Sequence, residues 1–170
     1  MTSPQTPALQ AAVVTVSDRA AAGTATDRSG PLAVEALRAA GFGCDDATLV
    51  PDGASSVEQA LRTAVAGGAR LVLTTGGTGV GPRDQTPEGT APLLTRLLPG
   101  IVEEVRRRAT AETPGGMLSR GLAGVVDGPT GAGCLVVNLP GSTAAVMSAV
   151  PVVLSVAPHV IAQLDGGDHP

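Results

Sequence analysis

Short runs of aliphatic and β-branched residues alternate along this chain with stretches whose apolar positions recur at helical spacing. Ala11-Ala-Val-Val-Thr-Val16 reads as a strand, ends in polar Ser17-Asp18-Arg19, and gives way near Pro31 to a helical pattern carrying Leu32 and Leu37. Ser29 or Gly30 ahead of Pro31 marks the start of that helix, and Gly41 marks its end. The order then repeats. Ala47 to Val50 predicts a second strand, Pro51-Asp52-Gly53 a polar loop, and Ser55 or Ser56 the cap of a helix bearing Val57, Leu61 and Val65. Leu71-Val-Leu-Thr-Thr75 predicts a third strand, followed by a glycine-rich loop and by Thr86-Pro87-Glu88, which opens another helix.

The pattern changes beyond residue 99. Gly100 to Arg108 reads as helix, while Leu122 to Asp127 and Cys134 to Asn138 read as strands joined by Gly128-Pro-Thr-Gly-Ala-Gly133, an antiparallel hairpin. Ser142 is placed to cap a helix running through Val150. The apolar run Val150 to Leu164 is interrupted by Pro151 and Pro158 and falls short of the ~20 residues a bilayer span needs, so it is expected to be a core or oligomer-facing helix. Alternating strands and helices give an α/β class: three α/β/α layers around a mostly parallel five-stranded sheet with one antiparallel strand. Ligands of such sheets bind beyond the carboxyl ends of the strands, where all three polar loops lie. Residues 11–164 are expected to form a single domain between a flexible N-terminal tail, residues 1–10, and a polar C-terminal tail, residues 165–170. Met1 to Gln10 carries no signal-peptide pattern.

Composition narrows the chemistry. Apolar residues make up 43% of the 170 and charged residues 15%, which excludes a disordered chain. Phe42 is the single aromatic residue, so no platform exists for stacking bases, and a formal charge of −4 argues against a nucleic-acid partner. Every strong cation is an Arg; without Lys the chain has no Walker-type phosphate lysine and no Schiff base. Arg106-Arg107-Arg108, the one basic cluster, is read as the solvated last turn of a helix. Cys44, Cys134, His159 and His169 lack zinc-site spacing, and reduced thiols in a cytoplasmic protein are expected.

The densest chemical signal is Thr74-Thr-Gly-Gly-Thr-Gly-Val-Gly-Pro-Arg-Asp-Gln-Thr-Pro-Glu88. A glycine-rich turn that leads through Arg83 and Asp84 to a helix start can wrap an anion with backbone amides, although it has neither Walker nor dinucleotide-binding spacing. Taken alone, the glycines are equally accounted for by a tight turn with positive φ, and Asp52 and Asp84 by ordinary loop capping.

Leu73-Thr-Thr-Gly-Gly-Thr-Gly79 followed by Arg83-Asp84-Gln-Thr-Pro-Glu88 closely resembles the signature of the Mog/MoaB molybdopterin-binding family, which includes molybdopterin adenylyltransferases and the gephyrin G domain. Val16-Ser-Asp-Arg19, Asp27, Pro51-Asp52, Leu118-Ser-Arg120 and Asn138-Leu-Pro-Gly-Ser142 extend the resemblance from Ala11 to about Leu164. The resemblance implies the molybdopterin-binding fold and a role in molybdenum cofactor biosynthesis: transfer of AMP from Mg-ATP to the terminal phosphate of molybdopterin, with release of pyrophosphate. It assigns Asp52 and Asp84 as the essential carboxylates, which hold Mg²⁺ or orient the reacting phosphates. It also assigns Ser17, Asp18, Arg19, Asp27, Thr75, Gly76, Gly77, Thr78, Gly79, Arg83, Ser119, Arg120, Asn138, Pro140 and Gly141 to substrate binding. A homotrimer and a molybdate-insertion partner are implied with them. Gly141-Ser-Thr-Ala-Ala also resembles the MoaB branch, for which the alternative is a non-catalytic pterin carrier; a purely structural oligomerisation module ranks last. Three positions depart from the family pattern: Gln85 where an apolar residue is usual, Ala109 where several relatives have a serine beside the pterin, and a longer Gly128–Gly133 loop.

Overall fold

Leu71–Thr75, buried at every position, forms the central strand of one mixed sheet, and the runs read as strands assemble around it. The computed structural model describes residues 8–128 and 131–167. In chain order the elements are β1 (Gln10–Val16), α1 (Asp18–Ala21), α2 (Ser29–Ala39), β2 (Gly43–Cys44), β3 (Thr48–Val50), α3 (Ala54–Ala66) and β4 (Leu71–Thr75). There follow α4 (Thr86–Thr90), β5 (Arg96–Leu97), α5 (Pro99–Glu112), β6 (Ala123–Asp127), β7 (Gly133–Leu139) and α6 (Thr143–Leu164). The strand order is β2-β1-β4-β7-β6-β5, with β3 alongside β1 on the same edge as β2.

Among the described residues seven strands therefore stand where five were expected. The additional two, Gly43–Cys44 and Arg96–Leu97, are two-residue edge pairings too short to leave a period in the sequence. The expectation of one reversed strand holds: β6 runs antiparallel to both β7 and β5, and the other pairings are parallel. One face of the sheet is covered by α2, α5 and α6, which bury Leu37, Val105, Val153 and Ile161 against Val13, Leu73 and Val137. The other is covered by α3, whose Val57, Leu61 and Val65 pack on Val14, Val72 and Val136. β1, β4 and β7 are thus apolar on both faces, which is why these runs read as continuous rather than alternating.

Helix boundaries differ from the sequence reading in four places. Asp27, not Ser29 or Gly30, caps α2, its Oδ1 accepting the N–H groups of Ser29 and Gly30 at 3.1 and 3.0 Å. Gly53, at φ +130°, precedes α3 in place of a serine cap, because the Ser56 hydroxyl is turned back to donate to the carbonyls of Pro51 and Gly53. The three consecutive arginines sit within α5, which continues to Glu112, rather than in its last turn. Finally, α6 is one helix of 22 residues that passes through Pro151 and Pro158. Both prolines are exposed and lie seven residues apart, so the missing N–H groups fall on one solvent-facing stripe while Val146, Val150, Val153, Ala157 and Ile161 hold the opposite stripe in the core.

The length argument against a membrane span does not survive that finding. By length and composition α6 suffices to cross a bilayer, with a mean hydropathy of 1.9 over its most apolar window. What it does in this fold is pack against β7, α2 and α5. The tail boundaries also move: Gln10 belongs to β1, and Asp165 is held by Arg70 at 2.7 Å. Residues 1–7 and 168–170 of the expected tails, His169 among them, and Pro129 and Thr130 of the longer hairpin loop lie outside the described residues.

Candidate functional site

The carboxyl ends of β1, β3, β4 and β7 carry the polar loops side by side. β1 connects outward to β2 and β3, whereas the chain returns across β1 to form β4, so a topological switch point lies between β1 and β4. At that point Thr75 leads into Gly76 and Gly77, at φ +95° and +64°. A side chain at Gly76 would meet the Val16 carbonyl at 2.4 Å, and one at Gly77 the Thr86 hydroxyl at 2.3 Å. The turn is therefore wedged between β1 and α4, and glycine is required for both its dihedral angles and its contacts. Thr86, fully buried, locks it from behind: its hydroxyl donates to the Gly76 carbonyl at 2.9 Å and its N–H to the Gly77 carbonyl at 3.0 Å.

Asp52 and Asp84 both lie against this glycine-rich loop, Asp52 at Gly77 and Asp84 at Gly79 and Gly81. Asp52 Oδ2 accepts the N–H of Asp18 at 2.8 Å, and its Oδ1 lies 3.4 Å from where a Gly77 side chain would begin. Asp84 Oδ2 accepts the N–H of Gly81 at 2.9 Å and fills the space a side chain would need at Gly79 or Gly81. Each acid thus spends one oxygen on a backbone donor that fixes it and keeps the other for a further partner. Among the described residues no three His, Cys, Asp or Glu side chains gather as a metal site.

Two of the arginines that the resemblance assigns to substrate brace the loops of the site. Arg83 forks onto the Asp18 carboxylate with two bonds of 3.0 Å and donates to the Asp52 carbonyl at 2.8 Å. Its guanidinium holds the Asp18 carboxyl below the ordinary carboxylate value. Arg120 donates to the carbonyls of Gly79 and Asp84 at 2.8 and 2.6 Å and pairs with Glu88, whose carboxyl it holds below the usual value.

Two recesses flank the turn. The first, about 420 Å³, is bounded by Thr15, Ser17, Arg19, Asp27, Arg28, Thr75, Gly76 and Gly141. Ser17 caps α1 there, its hydroxyl oxygen accepting the Ala20 N–H at 3.3 Å, and the Asp27 carboxylate accepts from Thr15 and Ser29 as well as from the α2 backbone. The second, about 270 Å³, is bounded by Thr78, Gly79, Ala109, Leu118, Ser119, Pro140 and Ser142. Ser119 donates to the Thr78 hydroxyl at 3.3 Å, and Ala109, the residue that departs from the family pattern, forms part of the wall. Gly141 stands 3.0 Å from Gly76 at the position of an added side chain, so the β7–α6 loop and the glycine turn touch.

Asn138 takes a different part from its neighbours. It is 1% exposed, and its amide donates to the hydroxyls of Thr74 and Thr90 while its oxygen accepts the Leu122 N–H. The side chain ties β4, α4 and the start of β6 together and lines neither recess. Sequence reasoning missed Thr86, Glu88 and Arg106. Arg106 donates to the carbonyls of Ser119 and Gly121 and so fixes the Ser119 segment. Gln85, polar at a position usually apolar, accepts the N–H of Ala54 at 3.2 Å and ties the start of α3 to the loop. No local spacing announces these partners, and those of Arg106 and Gln85 stand 13 to 31 residues away.

Comparison with known proteins matches residues 12–159 to the family described as "probable molybdopterin binding domain". The chain is 42% identical over 159 residues to a molybdenum cofactor biosynthesis bifunctional protein of Synechococcus elongatus, covering 94% of this chain and 48% of that one. It thus spans about half the length of that relative. It is 38% identical to a molybdopterin adenylyltransferase of Pyrococcus furiosus, covering 88% of this chain and 87% of that one. Among solved structures, a molybdopterin biosynthesis protein from Mycobacterium abscessus superposes with a TM-score of 0.85 at 44% identity, over 94% of this chain and 98% of that one.

Proposed function

The chain belongs to the molybdopterin-binding domain family, and from that premise we propose that it is a molybdopterin adenylyltransferase of molybdenum cofactor biosynthesis. The reaction joins a terminal-phosphate oxygen of molybdopterin to the α-phosphorus of ATP and breaks the bond from that phosphorus to pyrophosphate. One observation carries the reading: Asp52 and Asp84 are fixed against a single glycine-rich loop whose two flanks open into separate recesses, one for each of two reactants.

In this reading the recess walled by Thr78, Ala109, Ser119 and Pro140 takes the pterin, and the backbone of Gly76–Gly79 faces phosphate at the turn. Such a transfer asks for positioning and charge neutralisation more than covalent help. A phosphate monoester is already largely ionised near neutral pH, so no general base is required. The acids suit Mg²⁺ carried by a nucleotide, an ion that keeps several waters and takes one or two carboxylates beside substrate phosphates. Asp52 and Asp84 would hold it, and when bound it supplies neutralisation of phosphate charge. A cytoplasmic homotrimer that passes its product to a molybdate-insertion protein completes the proposal; exposed Met117, Leu118 and Met147 are surface such an assembly would cover.

The test is anaerobic incubation of the purified chain with molybdopterin, ATP and Mg²⁺, followed by chromatography for the adenylylated pterin, with Asp84→Asn in parallel. Product from the wild type alone supports the enzyme. Pterin retained without product, whether or not ATP is present, would assign a carrier instead.

A further inference from the structure

Asp52 and Asp84 each stand two residues ahead of a helix, Asp52 before α3 through Gly53 and Asp84 before α4 through Gln85. The two junction residues are of opposite kinds. Gly53, at φ +130°, has no side chain to cap α3, and as a glycine it leaves the backbone between Asp52 and the helix free to pivot. Gln85 makes no side-chain cap for its own helix. Its Oε1 instead accepts the N–H of Ala54, the first residue of α3, at 3.2 Å. On the other side of Gly53, the Asp52 carbonyl accepts from Arg83 at 2.8 Å. The two chain neighbours of Asp84 therefore grip the two backbone groups that flank the pivot beside Asp52. Behind them α4 lies directly on α3: a side chain at Gly89 would begin 2.4 Å from the Ala54 carbonyl oxygen and 2.9 Å from the Val57 Cβ. Ala54 is thus held at its N–H by the residue that precedes α4 and pressed at its carbonyl by α4 itself.

We infer that Gln85 is a positioning residue that sets the separation of Asp52 and Asp84, by capping the helix of one acid from the loop of the other. The bond suits the task. A helix N-terminus offers N–H groups with no intrahelical partner, and the acceptor that Gly53 lacks is supplied from 31 residues further along the chain. The amide end of the same side chain turns to its own loop, Nε2 donating to the Pro82 carbonyl at 3.5 Å. Gln85 lines neither recess, so its effect on transfer passes through the acids. Without its acceptor the pivot at Gly53 is fixed on the Arg83 side alone, and the Asp52 loop gains a freedom that the Asp84 loop does not share. The inference rests on the adenylyl-transfer reading for what the two acids do, and not for the clamp itself.

Three variants of the intact chain test this. Gln85→Met keeps the length of the side chain and removes the acceptor, Gln85→Glu restores an acceptor, and Gln59→Met, exposed on α3, is the control. Transfer kinetics are read beside amide NMR of the isotope-labelled protein. In Gln85→Met, kcat is expected to fall about tenfold with KM for molybdopterin unchanged, while the Ala54 N–H exchanges with solvent about fivefold faster and the Asp52 amide resonance is displaced. Gln85→Glu should restore both, and Gln59→Met should move neither. An unchanged kcat in Gln85→Met overturns the inference, as does a fall in kcat that Gln85→Glu fails to restore. If the wild type makes no adenylylated product, the transfer reading fails and the amides decide alone. Release of Ala54 with displacement of Asp52 then keeps the clamp, and amides identical to those of the wild type overturn it.

Discussion

Asp18 and Asp52 cap each other across the ends of β1 and β3: the Asp18 N–H donates to Asp52 Oδ2 at 2.8 Å and the Asp52 N–H to Asp18 Oδ1 at 3.0 Å. Arg83 closes the pair by gripping the Asp18 carboxylate and the Asp52 carbonyl. Asp18 therefore helps to place Asp52. Asp18→Asn keeps an acceptor for the Asp52 N–H but removes the charge that anchors Arg83. Turnover is expected to fall by about tenfold to a hundredfold, the scale on which small displacements of a reacting group act. The melting temperature should barely move, since exposed ion pairs contribute little. A variant that melts much lower yet retains its rate per folded molecule would make Asp18 a stabilising residue only.

Acid should weaken the fold through the same kind of pairing. Asp18, Glu88 and Glu104 are all depressed in the folded chain, first by hydrogen bonds from Arg83, from Arg120 and from Arg107 with Arg108, and Glu104 is lowered to about 2. A depressed carboxyl contributes stability in full above its unfolded value, about pH 4, and loses it as pH falls toward the folded value. Melting temperature is thus expected to be level from pH 7 to 5 and to drop below about pH 4. Glu104→Gln should flatten part of that drop, and 1 M salt should shrink it, because these pairs are exposed. An equal slope in the variant at low salt would remove Glu104 from the account.

The parallel strands were legible because burial on both faces makes each a dense apolar run, as Leu71 to Thr75 shows. Gly43–Cys44 and Arg96–Leu97 were not, since two residues carry no period. The prolines of α6 suggested a break that the sequence alone had no means of overruling; burial of the stripe from Val146 to Ile161 is a property of the packed fold. At the site, the glycine turn and both acids could be picked out, but their partners could not. Arg83 and Asp18 are 65 residues apart, and the bracing of Arg120 by Glu88 exists only once the chain has folded. The resemblance assigns Asn138 to substrate binding, and what no spacing could show is that its side chain turns inward onto Thr74 and Thr90.

That inward turn makes Asn138 a stability residue. Asn138→Ala would strand the Leu122 N–H and remove the donor shared by Thr74 and Thr90, all in a position 1% exposed. A buried group left without its partner costs about 1–3 kcal/mol, so a loss of roughly 2–4 kcal/mol is expected in urea unfolding. A stability change under about 0.5 kcal/mol would mean that the threonines and the Leu122 amide find other partners.

Gly77 offers the sharpest separation of turn geometry from mere flexibility. At φ +64° an alanine is strained, and its side chain would fall 2.3 Å from the Thr86 hydroxyl that holds the Gly76 carbonyl. Relief requires Thr86 to withdraw, which moves the start of α4 and, through the Thr86 N–H bond to Gly77, the turn against which Asp52 lies. Gly77→Ala is expected to lose about 2–3 kcal/mol of stability and at least a hundredfold in adenylyl transfer. Gly23 is the control: its φ is +73°, yet a side chain there meets nothing within 4 Å, so Gly23→Ala should cost about 1 kcal/mol and leave the rate unchanged. Urea unfolding and the transfer assay on both variants decide the matter. Equal behaviour of the two would mean that positive φ alone, and not the wedge between β1 and α4, explains why glycine stands at position 77.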